Sequence, residues 1–456
     1  MPKRIVRLTL LAVVIALVAL VVVPVASARR GSAQLPVRST WDADMINSDS
    51  DATGMTGQGV YIAVLDTGLA PNWKDYFPAS RIATSLGMGF KEDIKWDSAT
   101  QTFLESGKVH QVSWVGDLGE THGTHVTSTI LGYNYYAPGD GAAGYPLPPV
   151  FVQGIAPKAT IIPVKVLASY KIGKSQTDPI DFPDQKAVFG TDRMVAAGIR
   201  YATDLKLAGY SPMVITMSLG GPELADIEKE ALDDAIANGV IVVASAGNEG
   251  DDGMDYPGAY APVISVGASG WKYEWWAPGE SPVSPPPRYR LWWLQDKTWG
   301  YNDIPEDQAA VAELVYMPPW SSRELAGQQL DVVAPGSWVR GPYPGAPGYA
   351  HLPWWSSGIG WLMGHNPGNF YYVGGTSMAA PHVTGVAAQM LEKRPMLVQA
   401  DVEQILKKTA REIPARSMRV FDLDPEQAFY TYSWGTDATG SGLIQADKGL
   451  EAVPEN

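Results

Sequence analysis

Cysteine is missing from all 456 residues. That excludes disulfides, thiolate metal sites and a cysteine nucleophile. A chain of this length can bury a large core, so it needs no covalent staples even outside the cell. Charge is also scarce, at 18% of residues, and acidic groups outnumber basic ones to give a formal charge of −14. A nucleic-acid partner calls for a basic surface, so that class is excluded. The acidity favours solubility and says nothing about fold. No second long apolar run follows the first, and no internal repeat is visible. The His-Glu-x-x-His zinc signature and the EF-hand loop are missing as well.

The one long apolar run, Leu8 to Val23, follows Lys3, Arg4 and Arg7 and is broken by Pro24. Ala26-Ser27-Ala28 then supplies small residues where an export leader is cut. Residues 1–28 are therefore expected to be a signal peptide and the protein to be secreted or extracytoplasmic. The alternative is an uncleaved leader acting as a membrane anchor, because the run is marginally long enough to span. Residues 29–59 read as an amino-terminal arm and 60–456 as one large domain.

Within that domain, apolar runs rich in Val and Ile alternate with helical patterns. The expected strands are Val60–Asp66, Thr160–Leu167, Val214–Ser218, Val240–Ser245, Val263–Gly267 and Leu330–Val333. The expected helices are Gly123–Leu131, Asp192–Leu207, Leu224–Asn238, Ser377–Glu392 and Ala400–Arg411. Strands with little polar alternation, separated by helices, imply a parallel sheet covered on both faces. The fold class is thus α/β, three-layered, with a mainly parallel twisted sheet. Ligands bind such sheets at the carboxyl ends of the strands. Asp66 and Asn248 sit at such ends.

Several stretches break the rhythm and read as loops: Met88–Gly119, Tyr133–Gln153, Tyr170–Gly190, and Trp/Pro-rich insertions near 271–319 and 341–370. Eleven of the sixteen tryptophans lie between Trp271 and Trp361, which argues against disorder there. A self-packed flap, an extended wall of a substrate cleft and a carbohydrate- or surface-binding patch all suit this composition.

Four separated stretches carry candidate chemistry. They are Tyr61-Ile-Ala-Val-Leu-Asp66-Thr-Gly, His122-Gly-Thr-His125-Val, Val242-Val-Ala-Ser-Ala-Gly-Asn248-Glu and Gly374-Gly-Thr-Ser377-Met-Ala-Ala-Pro-His382. Taken singly, each has a plainer role: Asp66 as a turn residue, His122 as a structural histidine, Ser377 as a helix cap, Asn248 as part of a turn. Together they supply what acyl transfer needs. Ser377 serves as nucleophile, His122 as base, Asp66 as orienter of that base, and Asn248 with the Ser377 N–H as oxyanion donors. Ser377 precedes a helical run, where the helix N-terminus favours negative charge. Pro381 reads as lying early enough in that helix for its missing N–H to be tolerated. His125 and His382 read as structural.

The chain order Asp, His, Ser is that of subtilisin. With these neighbours the chain resembles the subtilisin-like serine peptidases (subtilases), and the likeness runs from about Val60 to the C-terminus. The resemblance implies an endopeptidase acting on proteins or peptides. It implies that Met217-Ser218-Leu219-Gly220-Gly221 pairs with the substrate backbone as an added strand, and that Ala244 to Gly247 form the facing wall of the primary specificity pocket, with Ala246 and Gly247 binding substrate. Gly154-Ile-Ala-Pro157 resembles the turn before the second core strand. Asp255, just before Tyr256-Pro257-Gly258, falls at the base of the pocket, where a carboxylate favours Lys or Arg at P1; the alternative is a solvent-facing acidic loop beside Asp251 and Asp252. Gly440-Ser-Gly-Leu-Ile-Gln-Ala-Asp447 resembles the family's closing segment, so no further C-terminal domain is expected.

Secreted members usually carry a sizeable pro-region, whereas the stretch 29–59 suffices only for the mature arm. Unassisted folding, help from another chain and a late reading-frame start each account for this. The chemistry needs no cofactor. Many relatives bind calcium, and the acidic loops near Asp51, Asp140 and Asp251 are candidates for a structural ion without a telling ligand spacing. Two alternatives are a non-catalytic peptide-binding protein on the same fold and the acid-acting sedolisin group, whose carboxylate base stands where this chain has His122.

Overall fold

Runs such as Ile-Ala-Val-Leu leave no side of a strand for water, so both faces must be covered. The computed structural model describes residues 37–455 apart from 49–52, 98, 118–119, 136–149, 172–185, 276–311, 346–353, 356–369 and 423–427. In chain order the main sheet contains β1 (Tyr61–Asp66), β2 (Met88–Asp97), β3 (Thr102–Val112), β4 (Thr160–Lys165), β5 (Met213–Met217), β6 (Ile241–Ser245), β7 (Ile264–Trp271), β8 (Val315–Tyr316) and β9 (Val332–Pro335). Across the sheet the order is β3-β2-β4-β1-β5-β6-β7, and both β8 and β9 pair with β7. The pairs β4–β1, β1–β5, β5–β6, β6–β7 and β7–β9 are parallel, as the apolar patterning required.

The helices are α1 (Trp41–Met45), α2 (His122–Leu131), α3 (Asp192–Leu207), α4 (Asp226–Ala237), α5 (Thr376–Lys393), α6 (Gln399–Thr409) and α7 (Ala446–Ala452). Along β1, Ile62 and Val64 pack into one core with Val126 and Ile130 of α2 and Met378 and Val383 of α5. Ala63 and Leu65 pack into the other with Met194 and Ile199 of α3 and Leu232 of α4. Alternate side chains thus feed two cores, giving three layers. Each fully buried Val, Leu or Ile contributes roughly 1.5–3 kcal/mol. Helix α3 keeps its expected bounds because its start signal is complete. Thr191 accepts a hydrogen bond from the Met194 N–H, and Asp192 occupies the first turn.

From β1 the chain moves to β4 on one side, and from β5 it moves through β6 and β7 on the other. The order therefore reverses between β1 and β5, which makes a crevice at their carboxyl ends. Asp66 ends β1, and Ser218 follows β5.

Three expected loops contain paired strands. Met88–Gly119 holds the antiparallel β2–β3 hairpin, with a bulge between Glu92 and Ile94. Gly132–Tyr135 pairs with Val150–Gln153, and Ala168–Lys171 with Lys186–Phe189. The described ends of the Trp-rich stretches pack inward. Trp271 and Trp275 are buried, and the Trp275 ring lies 5.8 Å from that of Trp338. Among the described residues no helix is long and apolar enough to cross a membrane. Residues 1–28, expected to be a leader, lie outside the described residues.

The described part of the expected amino-terminal arm contributes Trp41, Ala43, Met45 and Ile46 to the core. Trp41 stacks on Trp271 at 6.4 Å, and Asp42 accepts a hydrogen bond from His382 Nε2 at 3.0 Å. His382 Nδ1 faces the Met378 carbonyl at 2.8 Å, so this buried ring ties the arm to the turn that carries Ser377. Removing one partner of a buried ion pair leaves the other uncompensated. Asp42→Ala is expected to lower unfolding free energy by about 3–5 kcal/mol in urea titration. A loss below about 1 kcal/mol would show that the arm is not held by this pair.

Candidate active site

Asp66 has no exposed surface, so both its oxygens need donors. The Thr67 N–H donates to Oδ1 at 2.6 Å, and His122 Nδ1 donates to Oδ1 at 3.0 Å and Oδ2 at 2.9 Å. With its Nδ1 hydrogen directed at the carboxylate, the imidazole presents Nε2 as an acceptor. Two further bonds lock the elements that carry this pair. The Gly123 N–H donates to the Thr67 hydroxyl at 2.9 Å, and the Ala70 N–H donates to the Thr124 hydroxyl at 2.8 Å. Gly123 is required by close approach: a Cβ there would lie 2.5 Å from the Gly68 carbonyl oxygen. Gly68 itself has φ of +76° and would place a Cβ 1.9 Å from the Trp114 carbonyl oxygen.

Ser377 is the second residue of α5, and Gly375 caps that helix. Its own N–H lies in the first turn, where no preceding intrahelical carbonyl exists. Asn248 Oδ1 accepts from the Thr376 N–H at 2.9 Å. Because a backbone N–H can only donate, the atom facing it is the oxygen, and this fixes the amide's orientation. The Asn248 Nδ2 group is thereby left to donate elsewhere.

Pro381 does not sit where the sequence placed it. It is the sixth residue of α5, beyond the first turn, so the Ser377 carbonyl loses its i+4 donor. The Ser218 hydroxyl takes over that bond at 2.8 Å, while the Ser377 hydroxyl donates to the Ser218 carbonyl at 3.4 Å. This reciprocal pair fastens the start of α5 to the end of β5. Ser218→Ala is expected to cost about 1–2 kcal/mol of stability. In a Pro381→Ala background the restored N–H should cut that cost to below about 0.5 kcal/mol. Additive effects in the denaturation cycle would contradict the exchange of donors.

His122, Ser377, Asn248, Ser218, Leu219 and Gly220 line one cavity of about 440 Å³. Ala246, Gly247 and Asp255 do not line it among the described residues. Asp255 packs against Gly220, where a Cβ would lie 2.6 Å from the Asp255 Cβ, and its N–H donates to the Ala246 carbonyl at 2.8 Å. Burial, reinforced by the neighbouring Glu249 carboxylate, pushes the Asp255 carboxyl up to about 7. Asp251, a calcium candidate, instead pairs with Arg323 at 2.7 Å. Asp51 and Asp140 lie outside the described residues. Burial, then repulsion from His122, pushes His125 down to about 3, so it is neutral, and its Nε2 faces the Val339 carbonyl at 3.2 Å. Among the described residues no group of three or more His, Asp or Glu could hold a metal ion.

Thr67, which lies in the Asp66 stretch but carried no assigned role, and Tyr343, which no motif marked, also line the cavity. The Tyr343 ring stands edge-on to His122, 6.4 Å away, so the second Trp-rich stretch supplies part of the wall. The aromatic density of that stretch was the available signal, but it gave no means of choosing this residue.

A buried carboxylate–imidazole pair, a serine at a helix N-terminus and an oriented amide around one crevice define the equipment of a serine hydrolase. The sequence pattern of the Subtilase family matches residues 57–435, and the chain belongs to that family. It is 26% identical to Subtilisin DY of Bacillus licheniformis over 374 residues, covering 81% of this chain and 90% of that protein. It is 26% identical to Subtilisin Savinase of Lederbergia lenta over 395 residues, covering 86% of this chain and 91% of that one. Among solved structures it resembles fervidolysin from Fervidobacterium pennivorans, described as a keratinolytic enzyme related to subtilisin, with TM-score 0.51 and 25% identity over 91% of this chain and 46% of that one. It also resembles Sphericase, with TM-score 0.50 and 22% identity over 91% and 99% of the two chains. The protein is a subtilisin-family serine endopeptidase, and its substrates are proteins or peptides.

Proposed function

We propose that the protein is exported and cuts peptide bonds through an acyl-enzyme on Ser377. The observation that carries this reading is the convergence of Asp66, His122, Asn248 and Ser377 on one crevice. A substrate strand lies along Ser218–Gly221 and presents its carbonyl to Ser377. At rest the Ser377 hydroxyl donates weakly to the Ser218 carbonyl at 3.4 Å. Rotation about its Cα–Cβ bond turns it toward His122, and such contacts tighten once substrate binds. His122 takes the serine proton as Oγ attacks, and Asp66 stabilises the resulting cation. The oxyanion is met by the Ser377 N–H and Asn248 Nδ2. His122 then returns the proton to the leaving amine, and water enters to hydrolyse the ester. No step draws on a cofactor.

Residues 1–28 act as the export leader in this reading, as their charge and apolar pattern suggest. A serine-directed fluorophosphonate tests the nucleophile. Wild-type protein should label and Ser377→Ala should not, while Asn248→Ala should lose about 10²–10³ in kcat, the range for one oxyanion donor. Labelling that persists in Ser377→Ala would refute the assignment and leave a peptide-binding role as the better account.

Asp255 supports a preference for Lys or Arg at P1, since it lies against Gly220 of the substrate-pairing strand. Its carboxyl is raised to about 7 by burial and Glu249, so its charge grows as pH rises through that value. The Arg-over-Leu ratio at P1 should therefore increase between about pH 6 and pH 8 and vanish in Asp255→Asn. Faster cleavage after Leu or Phe at every pH would end this part of the proposal.

A further inference from the structure

Three consecutive residues at the start of α5 each have one backbone group held by a side chain. The Thr376 N–H donates to Asn248 Oδ1 at 2.9 Å, the Ser377 carbonyl accepts from the Ser218 hydroxyl at 2.8 Å, and the Met378 carbonyl faces His382 Nδ1 at 2.8 Å. Asn248 and Ser218 belong to the cavity wall. His382 is not among the described lining residues and has no exposed surface. Its ring is placed by Asp42, 340 residues away along the chain.

Geometry fixes the proton count of that last link. A backbone carbonyl only accepts, so Nδ1 carries a hydrogen. Nε2 lies 3.0 Å from Asp42 Oδ2, and an ionised carboxylate also only accepts. Imidazole is a stronger base than carboxylate, so the ring holds both hydrogens and is a cation. Strands β5, β6, β7 and β9, which pack against α5, carry no ionisable side chain. On α2, His122 is paired with Asp66 and His125 is neutral. On α7, Lys448 lies 3.0 Å from Glu451 and 3.7 Å from Asp447. Asp42, in direct contact, is thus the ring's counter-charge. The arrangement repeats that of Asp66 and His122, in which a carboxylate fixes the direction of an imidazole. Here the imidazole points at the backbone of the nucleophile's turn.

We infer that Asp42 and His382 are positioning residues for catalysis. The charged ring sets the Met378 carbonyl and with it the residue before, so that the Ser377 hydroxyl and N–H stand where attack and oxyanion capture need them. Asp42 acts only through His382. Without the carboxylate a neutral ring keeps a single N–H and is free to turn it away from Met378. The inference rests on the reading of Ser377 as the nucleophile.

Steady-state kinetics on a fluorogenic peptide test this, with active sites counted by exhaustive phosphonate labelling below each variant's unfolding transition. Asp42→Ala should lower kcat by about tenfold to a hundredfold, with KM within about twofold of wild type. In Asp42→Asn the amide can donate to Nε2 while Nδ1 still donates to Met378, so kcat should stay within about threefold of wild type. The double variant Asp42→Ala with His382→Leu removes both polar partners. It should be more stable than Asp42→Ala, because no partner is left buried and unpaired, yet just as slow. That combination separates positioning from stability. Wild-type kcat in Asp42→Ala or in the double variant, a loss confined to KM, or Asp42→Asn as slow as Asp42→Ala each overturns the inference and leaves the pair a structural contact. A wild-type protein that neither labels at Ser377 nor cleaves fails the proteolytic reading and this inference with it.

Discussion

The structure depends on meeting the needs of one buried carboxylate. Asp66 lies at the end of a central strand with no surface exposed, and among the described residues its oxygens are satisfied by the Thr67 N–H and His122. Each demand sets a further constraint. His122 can reach Asp66 only if α2 starts hard against the β1 turn, which Gly123 permits and Thr67 and Thr124 enforce. The same bonds that satisfy the carboxylate fix the imidazole's tautomer and direction, so the chemistry of the site and the packing of two layers are one arrangement.

The sheet order turns that arrangement into a site. Because the strand order reverses between β1 and β5, the crevice opens where Asp66 ends β1 and Ser218 follows β5. Helix α5 then brings Ser377 and, through Thr376, the Asn248 amide to the same place. Pro381 removes a helical donor one turn after Ser377, and Ser218 supplies its replacement. A local rule is broken one turn from Ser377, beside the crevice, and compensated by tertiary structure, as is expected at functional sites. The arm at Trp41 and Asp42 braces this helix through His382.

Much of the architecture was legible in the chain. Unalternating Val/Ile runs are buried on both faces, and α3 begins with a capping threonine and an acidic first turn. The four site motifs were legible because each pairs a reactive side chain with small neighbours that close approach demands. The β2–β3 hairpin was not, because its residues are mostly polar and much of β3 is exposed, so no period marks it. Tyr343 was hidden for another reason. It is an ordinary residue in its local sequence, and only the folding of distant segments around one cavity gives it a part to play.

The subtilisin-family assignment explains the machinery gathered at the crevice. The central claim is geometric: Ser377 attacks, and Asn248 with the Ser377 N–H receives the oxyanion. A crystal structure of the protein inactivated by a peptidyl phosphonate tests it most directly. The account predicts a covalent bond to Ser377 Oγ and a phosphoryl oxygen within about 3 Å of Asn248 Nδ2 and of the Ser377 nitrogen. An adduct on another residue, or a phosphoryl oxygen turned away from Asn248 into solvent, would contradict it.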